Sequence, residues 1–171
     1  MNEQLLQELS EKFACTSAGY HPGSDSWKLQ VSVERLHDLL EFLLRDQHCW
    51  CDFLSCISAE HLTGAEEKIQ LNYHLESIPN GLKFQVICSE PIGESTFNPA
   101  FPSVSDLWHT ASWHEREAAE LFGITFENHP DPRNLLLPAD WIGFPLRKNY
   151  LAAEKYHGLN IRYERSDPGE K

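Results

Sequence analysis

Titratable side chains crowd into the segment Trp113-His114-Glu115-Arg116-Glu117-Ala118-Ala119-Glu120, and His129 and Asp131 follow closely. Such a set can hold a metal, move a proton or grip another protein. Helical zinc sites need histidines at i and i+4; His114 opens that pattern, but Ala118 stands where the second histidine belongs. His109 and His114 diverge by about 140° around a helix. A carboxylate-bridged di-iron site needs Glu-x-x-His, and Glu117-x-x-Glu120 has no histidine. The spacing therefore speaks against a metal.

Acid–base catalysis has its raw materials in Glu115, Glu117, Glu120 and His114. Yet acids beside Arg116 on one helix also make a solvated or paired face, with Arg116 and Glu120 spaced to pair at i, i+4. No G-x-S-x-G turn or cysteine nucleophile signature accompanies them, and no glycine-rich phosphate loop is present. The third reading is an interface. Trp108, Trp113, Phe122, Phe126, Arg133, Trp141, Phe144, Arg147 and Tyr150 lie close together in the chain. Aromatic and arginine side chains of this kind concentrate at interface centres. Their crowding among prolines favours this reading over core plus ordinary surface.

The elements that would position these residues can be read from periodicity. Leu5, Leu6, Leu9 and Phe13 recur at helical spacing. A turn-rich piece around His21-Pro22-Gly23 follows, then an alternating strand with Trp27, Leu29 and Val31 on one face. Ser32 is placed to cap a helix with the stripe Leu36, Leu39, Leu40, Leu43, Leu44. Residues 50–57 suggest a buried strand. Residues 68–75 and 82–88 suggest a hairpin turning at Asn80-Gly81. A last helix is expected from Ser103, with Asp106 three residues on, a stripe of Leu107, Ala111, His114, Ala118 and Leu121, and Gly123 as its terminal cap. The order implies an α+β domain over residues 1–128, a mixed or antiparallel sheet with helices packed on it.

Residues 129–171 change character. Pro130, Pro132, Pro138 and Pro145 exclude regular helix and central strand, whereas Leu135, Leu136, Leu137, Trp141, Ile142 and Phe144 are too apolar to float free. An extended, proline-rich C-terminal tail of this composition either wraps its own domain or lies across another chain.

Across the whole chain of 171 residues the formal charge is −12, although basic residues slightly outnumber acids beyond residue 132. That balance argues against nucleic acid as a partner. No run approaches the roughly 18 apolar residues of a membrane span, and the polar, amphipathic start is unlike a signal peptide. A soluble, cytoplasmic protein is expected, meeting a membrane only through a partner. Cys15, Cys49, Cys51, Cys56 and Cys88 form no CxxC pair, so free thiols acting as small hydrophobes fit better than a zinc or iron–sulfur site.

One long pattern is more specific than any of these signals. Glu115-Arg116-Glu117, Glu120-Leu121-Phe122-Gly123-Ile124, Phe126, His129-Pro130-Asp131, Arg133, Leu135-Leu136-Leu137-Pro138, Asp140-Trp141, Gly143 and Pro145-Leu146-Arg147-Lys148 together resemble the signature of one family. It is the thirty-kilodalton subunit of proton-pumping NADH:quinone oxidoreductase, respiratory complex I. Pro132, Arg133 and Asn134 depart from the family's usual hydrophobic-then-polar run after His-Pro-Asp, and Asn149 takes a place often held by an acid.

The resemblance implies a free-standing, non-catalytic scaffold with no catalytic, cofactor-binding or metal residues of its own. It implies docking on the large, nickel-hydrogenase-like quinone-site subunit and other peripheral-arm subunits, on the cytoplasmic side of the membrane, with the tail of residues 129–171 wrapping those partners. NADH, flavin, iron–sulfur clusters and quinone are expected in those partners. The partner interface is expected to include Glu115, Arg116, Glu117, His129, Arg133, Trp141, Arg147 and Lys148. Arg116 is expected to be held by Glu117, Glu120 or a partner carboxylate, and Arg147 and Lys148 to be docking cations. A similar subunit serves membrane-bound hydrogenases, formate hydrogenlyases and ferredoxin-dependent relatives, which is the alternative assembly.

Overall fold

The computed structural model describes residues 3–92 and 98–161. Helix α1 (Glu3–Lys12) leads into strands β1 (Ser17–His21) and β2 (Ser26–Gln30), helix α2 (Val33–Arg45) and the long strands β3 (Phe53–Leu62), β4 (Lys68–Ser77) and β5 (Leu82–Pro91). Strand β6 (Ala100–Pro102), helix α3 (Ala111–Phe122) and strand β7 (Thr125–Glu127) follow, and a small hairpin, β8 (Lys155–Tyr156) with β9 (Leu159–Asn160), lies near the end.

The main sheet has the order β1-β2-β5-β4-β3. Within it only β2 and β5 run parallel; the other neighbours are antiparallel, so the sheet is mixed and the fold α+β. One face alternates into the core through Leu29, Ile69, Leu71, Tyr73, Leu75, Phe84 and Val86. Leu36, Leu39, Leu40 and Leu43 of α2 close the core with no exposed surface, because their spacing lines one side of the helix. The β4–β5 hairpin turns where Asn-Gly predicts, with Gly81 at φ 62°.

Several elements depart from the sequence expectation. The turn-rich piece before Trp27 includes β1, which pairs with β2 through Tyr20 and Trp27. Strand β3 starts at Phe53, not residue 50: Trp50 sits at φ 36°, and the N–H groups of Trp50 and Cys51 close a turn onto Asp46 and Leu43 carbonyls. Ser32 occupies the N-cap of α2 but makes no side-chain capping bond. The last helix begins at Ala111, eight residues after Ser103, because the Ser103 hydroxyl is taken by Glu115 at 2.6 Å and Asp106 by His37. Its buried stripe is accordingly Ala111, Glu115 and Ala118, with His114 only partly covered. Packed against β3, α3 forms a second layer with the short parallel pair β6–β7.

Candidate functional site

Helix α3 and the segment after β7 make one structure. Glu115 is fully buried; its carboxylate accepts the Ser103 hydroxyl (2.6 Å) and the Val104 N–H (2.7 Å), which holds the loop before α3 against the helix. Burial pushes its pKa up to about 7, a shift opposed by those two hydrogen bonds. His129 Nε2 lies 3.7 Å away. His129 Nδ1 accepts the Asp131 N–H (3.0 Å), so the ring's hydrogen is on Nε2, which donates to the Ser112 carbonyl (3.2 Å). The histidine thus staples the start of the tail to the first turn of α3.

Glu120 ties down the next piece. Its two oxygens accept the N–H groups of Leu135, Leu136 and Leu137 at 2.8–3.1 Å, satisfying backbone donors that a proline-flanked segment cannot pair in a ladder. Arg116 donates to the carbonyls of Arg133 (2.8 Å) and Asn134 (3.0 Å) and faces Asp131 at 3.6 Å. Asp131 in turn takes both arms of the Arg133 guanidinium at 2.6 and 2.7 Å, which holds its carboxyl well below the usual range.

Past Gly143 the ribbon crosses the end of α3. Gly123 caps the helix at φ 68°, ψ 54°, and a β-carbon there would fall 2.5 Å from the Phe144 ring. The Arg147 guanidinium stacks 4.7 Å from that ring and donates to the carbonyls of Phe122 (2.6 Å) and Gly123 (3.0 Å), the groups a helix C-terminus leaves unsatisfied. The Leu146 N–H donates to Leu121 (3.0 Å) and the Lys148 N–H to His61 Nδ1 (3.0 Å). Trp141, beside Tyr156 (ring centroids 5.7 Å apart), lines a cavity of about 320 Å³ shared with Arg116, Glu120, Asn134 and Phe144.

The outer side of this ribbon is oily. Leu136 is 63% exposed, Ile142 88%, Leu151 89% and Leu159 71%, with Leu146 and Trp113 also exposed. Apolar surface extended along a fixed backbone suits contact with another protein. Among the described residues no three or more His, Cys, Asp or Glu side chains group as a metal site.

Comparison with known proteins shows the family. Residues 29–156 match the family described as "Respiratory-chain NADH dehydrogenase, 30 Kd subunit". The chain belongs to this family. It is 38% identical over 165 residues to the C subunit of NADH-quinone oxidoreductase from Chloroherpeton thalassium, covering 95% of this chain and 66% of that protein's length. It is 36% identical over 125 residues to the C/D subunit of NADH-quinone oxidoreductase from Phocaeicola vulgatus, covering 73% of this chain and 23% of that one. Among solved structures, a trypsin-resistant fragment (1–134) of Nqo5 superposes with TM-score 0.58 at 28% identity over 75% of this chain and 97% of the fragment. A chain of the archaeal membrane-bound sulfane sulfur reductase shares the fold at TM-score 0.69 and 19% identity, over 96% of both chains.

Several of the residues that carry the family signature, Glu115, Arg116, Glu120, His129 and Arg147, turn inward. Glu115 is sealed in the core, so it offers nothing to a partner. Arg116 is held by backbone carbonyls and Asp131 rather than by Glu117 or Glu120, because Glu120 is already taken by three amides. Arg147 likewise spends its guanidinium on α3 carbonyls and is no free docking cation. His129 is internal too. Glu117, Arg133 and Lys148 are exposed, and Trp141 is half-covered. Sequence reasoning missed His61 and gave Ser103 only as a helix start; they meet their partners across 87 and 12 residues of chain, and neither spacing leaves a periodic trace.

Proposed function

We propose that this chain is a scaffold subunit of the peripheral arm of a proton-translocating NADH:quinone oxidoreductase. It docks on the large quinone-site subunit and performs no chemistry itself. NADH, flavin, iron–sulfur clusters and quinone then belong to partner subunits, and the chain is held at the cytoplasmic face of the membrane through the complex. Among the described residues no helix is long and apolar enough to cross a membrane.

The observation that carries this reading is the ribbon. Its inner groups are saturated by Glu120, Arg116 and Arg147, while Ile142, Leu151 and Leu159 face outward. A fixed strip with an oily outer edge is a preorganised docking surface, for which little ordering entropy remains to be lost. The Phocaeicola relative, whose name carries both letters C and D, joins two subunits in one polypeptide; fusion keeps two docked surfaces at high effective concentration. Affinity purification of the full chain from its native membranes tests the reading. The large subunit is expected to co-purify with the wild type and to be lost from an Ile142→Asp, Leu151→Asp double variant whose melting temperature is unchanged. Retention of the large subunit by that variant, or its absence from the wild-type eluate, would refute it.

A further inference from the structure

We propose that His61 is a positioning residue for the docking ribbon: by accepting the Lys148 amide it fixes residues 146–148, so that Leu146 and Lys148 are presented together to a partner surface that is both apolar and acidic. This rests on the docking reading above and adds the chemistry of its partner. His61 stands near the end of β3, paired across the strands with Ile69, and its side chain is 1% exposed. Its Nδ1 receives the Lys148 N–H at 3.0 Å. A ring nitrogen that accepts is unprotonated, which puts the hydrogen on Nε2. Nε2 has no hydrogen-bond partner among the described residues and lies 3.5 Å from the Glu67 carboxylate. Burial lowers the pKa of Arg147, and Glu67 acts against that by favouring the charge. One carboxylate from the β3–β4 loop therefore stands near both the ring and the ribbon cation.

A buried imidazole that meets main chain 87 residues away is more than a core filler, because Val or Leu would fill the space without an acceptor. Its consequence is directional. The Leu146 N–H is fixed on Leu121, the Arg147 guanidinium turns inward onto Phe122 and Gly123, and His61 fixes the amide that follows. With Arg147 turned in, Leu146 and Lys148 are left exposed on either side of it. An exposed aliphatic side chain and an exposed ammonium two residues apart on a fixed backbone select a partner surface offering an apolar contact and a carboxylate.

The test uses isosteres in the full chain. Asparagine places its oxygen near the position of Nδ1, whereas glutamine reaches toward Nε2. Amide exchange at Lys148 is expected to quicken about threefold to tenfold in His61→Gln and His61→Ala, the loss of one ordinary hydrogen bond, and to stay near wild type in His61→Asn. In native complexes the large subunit should dissociate at lower salt from His61→Gln and from Lys148→Glu than from wild type. Unchanged exchange in His61→Gln and His61→Ala, or exchange in His61→Asn as fast as in His61→Ala, would overturn the positioning role. Salt resistance untouched by Lys148→Glu would overturn the acidic-partner assignment. If the wild-type chain retains no large subunit while the exchange pattern holds, the docking reading fails and the His61 anchor stands.

Discussion

Gly123→Ala is the sharpest probe of how the ribbon meets the domain. Gly123 ends α3 in the left-handed region, where a β-carbon costs about 1–2 kcal/mol. That carbon would also stand 2.5 Å from Phe144 Cε2 and 2.6 Å from Cδ2 and Cζ, against roughly 3.5–4.0 Å for an ordinary carbon contact. The ring must retreat by about 1 Å, disturbing its stacking under Arg147, and overpacking of this kind costs about 1–3 kcal/mol. Together the penalty is about 2–5 kcal/mol, or roughly 4–20 °C in melting temperature for a chain of this length. Thermal and urea unfolding of the full chain measure it. A double-mutant cycle separates the two causes. In a Phe144→Ala background the alanine at 123 should cost only the backbone part, giving a coupling of at least about 1 kcal/mol. An equal cost with and without the ring would show that Phe144 does not rest on Gly123, and the account of the docked ribbon would be wrong.

Three further outcomes follow from the same geometry. Because burial raises the folded-state pKa of Glu115 to about 7, its contribution to stability is complete below about pH 4 and is lost as pH rises toward 7. The loss is on the order of 3 kcal/mol. Glu115→Gln should flatten that slope in urea midpoints measured from pH 4 to 8. Glu120→Gln leaves a single acceptor oxygen for three amides, so about 2–4 kcal/mol should be lost, with faster exchange at Leu135 to Leu137. Burial pushes the Cys49 and Cys88 thiols up to about 12 and raises Cys51 as well; a thiol reagent at pH 8 should label the half-buried Cys15 and Cys56 first, as peptide mapping would show.

How far the sequence alone reached follows from the range of each interaction. Periodicity located the α2 stripe, the β4–β5 hairpin and the Gly123 cap, because each is decided by neighbours within a few residues. It misplaced the start of α3: Ser103 looked like a local cap, but its hydroxyl had a better partner in a buried carboxylate 12 residues on, within α3. It could not place β1, whose short, exposed strand forms only against Trp27 and its neighbours. The long signature was legible and the family it suggested is the right one, yet it was silent on what each of its residues does.

The amino-acid sequence by itself determined that the tail, residues 129–171, carries an apolar, proline-broken stretch that calls for a cover, since its backbone cannot join a helix or a central strand. Only the tertiary structure decided how that demand is divided. Glu120, Arg116, Arg147 and His61 supply the hydrogen bonds from within the chain, and Ile142 and Leu151 remain in solvent. Hydrogen-bond partners depend on where distant segments come to rest, whereas the need for them is written in the chain.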